Sequence, residues 1–143
     1  MAELTGMLIG QFIGILLWAA IFHAPVLRWR AAALFNWYIS YKKAYLVSIK
    51  SEIIAVLLGD VAMLLVGYFW KDDALARLFG FAFGIIALWL ALSGSLLKIA
   101  DPAGSITAGN TREISASTIG FIFLLGFLIS ALFAVVIYVV TNL

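Results

Sequence analysis

One apolar stretch restricts this chain to a membrane-protein fold. Residues 53–70 read IIAVLLGDVAMLLVGYFW, and Asp60 is the one charged side chain in that run. A helix rises about 1.5 Å per residue and needs about 20 residues to cross the hydrocarbon core of a bilayer, so the sequence predicts Asp60 near mid-membrane. A carboxylate at that depth is costly and indicates a functional site. Neighbouring helices are therefore expected to shield it from lipid.

The composition agrees with a membrane protein and excludes several kinds of site. Of the 143 residues, 66% are hydrophobic and 11% are charged, whereas soluble domains have about 45–50% apolar and about 25% charged residues. The length fits a single domain. The chain has no cysteine, which excludes disulfides, thiolate nucleophiles and zinc–thiolate sites. The basic residues form no extended basic face, so nucleic acid is not an expected partner.

The hydrophobic runs predict an all-α membrane protein, a bundle of four transmembrane helices. The spans are expected at residues 7–27, 50–70, 75–97 and 117–140, with a loop at residues 98–113 before the fourth. Pro25 is expected to end the first span. The amino-terminal residues include Glu3 but no Lys or Arg, which is untypical of a cleaved signal peptide, so this span is expected to remain in the protein. Asp72 and Asp73 are predicted to cap the third helix, and Asn110 with Glu113 the fourth.

The segment between the first two spans, residues 28–46, is predicted to be an amphipathic segment at the membrane interface. It is rich in tryptophan and tyrosine, whose rings favour headgroup depth, and in bases that can contact anionic lipid. His23, the single histidine, precedes this segment and is interpreted as a polar anchor at the membrane edge. The residues expected at lipid headgroups are Arg28, Arg30, Lys42 and Lys43.

Small residues recur every four positions in three of the spans. Such spacing places them on one face of a helix, where a neighbouring backbone can approach closely. We therefore predict that these faces mediate helix packing, within the chain or between copies. The glycines concerned are Gly6, Gly10 and Gly14 in the first span, Gly80 and Gly84 in the third, and Gly126 in the fourth.

The distribution of basic residues predicts the orientation of the spans. Loops one and three carry seven Lys or Arg residues, whereas Lys71 and Arg77 lie on the other side. Because basic residues concentrate in cytoplasmic loops, loops one and three are expected to be cytoplasmic and both termini to face the opposite side. An inner or plasma membrane is the expected location.

A polar cluster is predicted around Asp60. Counting inward from the interfaces, Ser130 comes to a similar depth, as do two tryptophans whose indole N–H groups need an acceptor when buried. One hypothesis makes Asp60 a proton or cation site in transport. The other makes it a structural group that sets helix register. The predicted members are Asp60, Ser130, Trp18, Trp89 and, nearer the outer edge, Gln11.

These features favour a small non-enzymatic membrane subunit that packs with copies of itself or with a larger membrane complex. The alternative is an oligomeric ion- or proton-coupled transporter or channel that uses Asp60. The polar lining is sparse for a pathway within one chain, so a transporter needs several copies. An enzyme, a metal site and a cofactor are not expected, because one histidine and scattered carboxylates do not form the usual ligand sets.

Overall fold

The computed structural model of the chain describes the backbone of residues 2–100 and 105–141, and the side chains of residues 9–100 and 105–141. Within these ranges all regular structure is helical. The elements in chain order are α1 (Ala2–Trp18), a π-helical turn (Ala19–His23), α2 (Ala24–Phe35), α3 (Tyr41–Trp70), α4 (Asp73–Ile99) and α5 (Ala108–Thr141). Four stretches, Ile9–Phe35, Tyr41–Trp70, Asp73–Ile99 and Ala108–Thr141, are long and apolar enough to cross a membrane.

The first of these stretches continues through Pro25 to Phe35, instead of ending near residue 27 as predicted. A proline in an α-helix lacks an N–H and clashes with the carbonyl four residues earlier. Here the π-helical turn shifts the hydrogen bonding by one residue, and the Ala24 N–H donates to the Ala19 carbonyl. The next carbonyl in that register belongs to Ala20, and its oxygen accepts a hydrogen bond from the Tyr41 hydroxyl, with 2.7 Å between the two oxygens. A side chain of α3 therefore replaces the backbone donor that Pro25 lacks.

The connections between helices use local capping. Asn36 adopts a left-handed conformation after α2, and the Trp37 N–H closes that helix end on the Ala31 carbonyl. Asp72 caps α4, as predicted, by accepting from the Ala74 and Leu75 N–H groups. The cap of α5 differs from the prediction.

In that cap, Thr107 and Asn110 bond reciprocally at the start of α5. The Thr107 N–H donates to the Asn110 amide oxygen, and the Asn110 N–H donates to the Thr107 hydroxyl. The fourth helix thus begins at Ala108, earlier than residue 117, because Thr107 supplies the capping oxygen instead of Asn110.

The helices pack tightly at one end and separate at the other. At the level of the π-helical turn and α2, the helices form a ring in which α2 contacts α3, α3 contacts α4, α4 contacts α5 and α5 contacts α2. The buried residues of α5 are confined to Thr111–Ile119. In contrast, the described part of α1 approaches α3 but neither α4 nor α5. The packed end, with its buried core around Leu27, Leu92 and Ile114, is here called the closed half, and the separated end the open half.

Candidate functional site

A cavity of about 860 Å³ lies between the helices and reaches from the closed half into the open half. Its walls come from α1, the π-helical turn, α3, α4 and α5, and most of the side chains are apolar. Its polar and charged lining residues are Gln11, Trp18, His23, Glu52, Asp60, Arg77 and Ser130.

The antiparallel helices arrange these polar groups by depth. His23 and Glu52 lie at the closed end, where Leu88 and Ile119 also line the cavity. Toward the open half, α3 brings Asp60 into the wall, and α1 brings Gln11. Glu52 and Asp60 are eight positions apart, so they share one face of α3 at a separation of about 12 Å along its axis.

A buried acid–base pair forms the closed end. His23 Nδ1 lies 2.6 Å from Glu52 Oε1, and the two side chains are 1% and 10% exposed. An ionised carboxylate oxygen only accepts, so in that state Nδ1 donates the hydrogen. Among the described residues, Nε2 of His23 has no hydrogen-bond partner although it is buried. One ring nitrogen is therefore held by α3, and the other is buried without a hydrogen-bond partner among the described residues.

Further polar side chains are buried in the closed half. The hydroxyls of Ser51 and Ser115 donate to the Val47 and Thr111 carbonyls of their own helices. The Ser48 and Thr118 hydroxyls are buried and, within the described ranges, have no partner. Ser48 lies one turn before Glu52 on α3, so the polar face of α3 extends beyond the pair. Leaving such groups unsatisfied costs about 1–3 kcal/mol each.

Asp60 is in a different environment. Its side chain is partly exposed and lines the cavity. Among the described residues it forms no hydrogen bond and no ion pair within 4.0 Å. Arg77 of α4 lines the same cavity without pairing to it. Asp60 is thus available to a ligand that enters the cavity.

The predicted cluster around Asp60 is brought together in part. Gln11, Trp18 and Ser130 line the cavity with Asp60, and the Trp18 ring packs on Phe22 with centroids 4.5 Å apart. Trp89 is directed elsewhere, since its indole N–H donates to the Arg112 carbonyl at 3.2 Å and joins α4 to α5.

Glycines have two different environments. At the α3–α4 contact, a Cβ added to Gly80 would lie 2.9 Å from the Gly59 carbonyl oxygen, and one on Gly84 would lie 3.4 Å from the Ala55 carbonyl oxygen. The predicted small-residue face of α4 therefore packs on α3. Gly59 of α3 lies in this contact, although the four-residue spacing of glycines did not indicate it. In contrast, a Cβ on three of the other predicted glycines would meet no atom within 4 Å: Gly10, Gly14 and Gly126. The surroundings of Gly6 lie outside the described side chains.

The predicted headgroup residues also divide into two groups. Arg28 donates to the Ile39 carbonyl in the loop after α2, and Arg30 donates to the Ser117 hydroxyl of α5, so both guanidinium groups form hydrogen bonds within the protein. Lys42 and Lys43 are exposed at the start of α3.

The sequence interpretation missed the pairing of His23 with Glu52. His23 lies within the stretch Ile9–Phe35 and is buried. A signal was present, because His23 and Glu52 are almost equally far from Tyr38 in the connecting loop, and adjacent antiparallel helices bring such positions to one level. In the described ranges, no three His, Asp or Glu side chains lie close enough to share a metal ion.

Comparison of the chain with protein-family models, with curated proteins and with solved structures found no match. The function is therefore argued from the cavity and its polar groups.

Proposed function

We propose that this chain mediates ion- or proton-coupled transport across a membrane, as an assembly of several copies, with Asp60 as the ion site. The observation that carries the proposal is the position of Asp60, an unpaired acid in the wall of a cavity between apolar helices. Charged groups within a membrane occur where they face a water-filled space or a partner. A cavity of this volume has room for water and a small ion beside the carboxylate.

Other polar groups support the same site. Gln11 and Ser130 enter the cavity wall from α1 and α5, and they offer oxygen atoms to an ion near Asp60. Trp18 contributes an indole N–H and a large apolar face. The four side chains come from three helices, so a change in helix spacing alters the geometry of the site.

The need for several copies follows from the open half. Since α1 is separated from α4 and α5 there, one chain does not enclose a pathway on all sides. Neighbouring copies would complete the wall. The proposed orientation places loops one and three in the cytoplasm of a cell with an inner or plasma membrane, with Lys42 and Lys43 of the interfacial segment at the headgroups.

A second candidate function is supported by the open glycine faces. Gly10 and Gly14 leave a smooth surface on α1 that no other part of the described chain covers. A non-enzymatic subunit that packs through this face, against copies of itself or a larger membrane complex, would use the surface directly.

The test of the transport proposal is flux in liposomes. The purified chain is reconstituted, and proton or alkali-cation flux is followed with an entrapped indicator dye. Asp60→Asn is expected to abolish flux, because the amide carries no charge and does not titrate. Asp73→Asn is the matched control, since Asp73 is an exposed acid that does not line the cavity. Equal flux through both variants would exclude Asp60 from the mechanism.

A second pair of variants tests the cavity itself. Gly126 and Gly120 lie on α5 with open space around the Cβ position, but Gly126 lines the cavity and Gly120 does not. Gly126→Leu is expected to reduce flux at least tenfold by filling the cavity, and Gly120→Leu to leave it unchanged. If there is no flux and Gly10→Leu disperses an oligomer measured by native mass, the subunit function is supported instead.

A further inference from the structure

The two acids that line the cavity differ in whether their charge is compensated. Glu52 lies 2.6 Å from His23, whereas Asp60 forms no ion pair within 4.0 Å among the described residues. The Asp60 side chain is also partly exposed, so a ligand in the cavity can reach it. A carboxylate between apolar walls is stabilised by a positive charge in contact with it. The cavity is therefore complementary to a ligand that carries a positive charge.

The walls near this acid are aromatic. Phe81 of α4 and Phe123 of α5 both line the cavity and pack edge to face, with ring centroids 5.8 Å apart. Phe127 of α5 and Trp18 of α1 line it as well. Rings of this kind cover the apolar body of a ligand, and their faces attract cations.

The cavity offers few oxygen atoms to an inorganic cation. In its open half, the lining side chains that carry oxygen are Gln11, Asp60 and Ser130. A hard cation such as Ca²⁺ is held by about six to eight oxygen atoms. An inorganic ion would therefore keep much of its water here, and the apolar walls would contribute little to holding it. An organic cation uses both parts of the cavity, because its apolar body removes those walls from water.

We infer that the cavity binds an amphipathic organic cation with a single charge, its positive group against Asp60 and its apolar body against the aromatic walls. The cavity volume of about 860 Å³ lies within the range of about 300–1,000 Å³ that is typical of small-molecule sites. The described part of α1 does not contact α5, so the cavity is open on that side. A ligand larger than a hydrated ion can therefore enter without moving the helices apart.

Arg77 restricts the ligand to one positive charge. At the α3–α4 contact, a Cβ added to Gly67 would lie 3.6 Å from the Cβ of Ala76, the neighbour of Arg77. This register places Arg77 about 9 Å nearer the open end than Asp60. The Arg77 side chain is exposed, so its guanidinium can stay hydrated while Asp60 holds the ligand. A second positive charge on the ligand would be repelled by Arg77.

This inference rests on the proposed transport function for its physiological meaning, and it names the class of substrate. In transport, the organic cation and the coupling ion would occupy Asp60 in turn, so that one carboxylate exchanges one for the other. Binding of the cation does not require transport, and it is measured without an ion gradient.

The test is equilibrium binding of radiolabelled methyltriphenylphosphonium to the protein in lipid nanodiscs, with empty nanodiscs as the background. This probe has three phenyl groups and one permanent positive charge. We expect saturable binding. Triphenylphosphine oxide has the same three phenyl groups but no net charge, so it should displace the probe at least tenfold less effectively than unlabelled phosphonium. Absence of saturable binding, or equal displacement by the oxide, would overturn the proposal.

A competition with K⁺ tests the need for an apolar body. About a hundredfold excess of K⁺ over the probe should leave most of the phosphonium bound, because K⁺ gains nothing from the aromatic walls. Loss of the bound probe in that excess would mean that the site serves an inorganic ion, which contradicts the inference.

Two matched pairs of variants locate the site. Asp60→Asn should weaken phosphonium binding at least tenfold, whereas Asp73→Asn, at an exposed acid outside the cavity, should not. Phe127→Ala should weaken it at least threefold and Phe133→Ala should not, since both rings are exposed on α5 but only Phe127 lines the cavity. Equal binding within either pair would overturn this location.

The outcomes separate this inference from the transport proposal. Phosphonium binding that depends on Asp60, without flux in liposomes, would support the cation site and reject transport. Flux of protons or alkali cations that depends on Asp60, without saturable phosphonium binding, would support transport and reject the organic cation as its substrate.

Discussion

Two acids on one face of α3 show how the halves of this molecule differ. Glu52, in the closed half, is buried and bonded to His23 at 2.6 Å. Asp60, two turns along in the open half, is partly exposed and unpaired among the described residues. The two side chains have the same chemistry on the same helix, so the difference arises from the neighbouring helices: the π-helical turn is close to Glu52, while α1 has separated from α4 and α5 near Asp60.

Because of this difference, removing a polar group is expected to have different consequences in the two halves. In the closed half, burial makes each polar partner necessary, because an unpaired charge away from water is expensive. In the open half, the cavity leaves the carboxylate accessible and independent of any one partner. Removing a polar group should therefore lower stability in the closed half, whereas in the open half it should leave stability nearly unchanged.

The largest expected effect is at the buried pair. His23→Ala leaves the Glu52 carboxylate buried without its partner, and breaking a buried pair in this way costs about 3–5 kcal/mol. The measurement is the free energy of unfolding in mixed micelles. The double variant His23→Ala, Glu52→Ala should lose less than the sum of the two single variants, because neither group is then left alone. Additive losses would show that the two side chains do not act as a pair.

An intermediate effect is expected at the α3–α4 contact, which extends from the closed half past Asp60. Gly80→Ala places a Cβ 2.8 Å from the Met63 Cβ and 2.9 Å from the Gly59 carbonyl oxygen. Such overpacking costs about 1–3 kcal/mol in unfolding free energy. Gly94→Ala is the control, since its Cβ would meet nothing within 4 Å. Equal stabilities of the two variants would mean that α3 and α4 separate more easily than this contact implies.

The smallest effect on stability is expected at Asp60. Asp60→Asn removes a charge that has no partner in the described chain, so the unfolding free energy of the isolated chain should change by less than about 0.5 kcal/mol. The measurement is again the free energy of unfolding in mixed micelles, made on monomeric protein. A loss of several kcal/mol would contradict the comparison, because it would place Asp60 in a bonded structural role like that of Glu52.

Much of the fold was predictable from local sequence. The short connection at Lys71–Asp72 requires adjacent antiparallel helices, and Asp72 has the side chain that caps the second of them. The four-residue spacing of Gly80 and Gly84 indicated a close helix contact, which α3 provides. The continuation of the first helical stretch past Pro25 was not predicted, because the effect of Pro25 depends on whether another helix can supply a donor, and Tyr41 does so.

The candidate site was less predictable, since its members come from four separate stretches of chain. Asp60 was recognisable because a carboxylate in an apolar run is unusual in itself. His23 and Glu52 were not recognisable as a pair, because each is adjacent to polar or aromatic sequence that suits an interface equally well. Their connection is a distance between two helices, and a single sequence does not contain it.

What the sequence alone determined was the number of apolar helices and the position of one acid within them, because length and hydropathy are properties of each segment by itself. What only the tertiary structure decided was which polar groups are paired and which are free. That depends on how closely the helices approach: they meet at His23 and Glu52, and they separate beside Asp60.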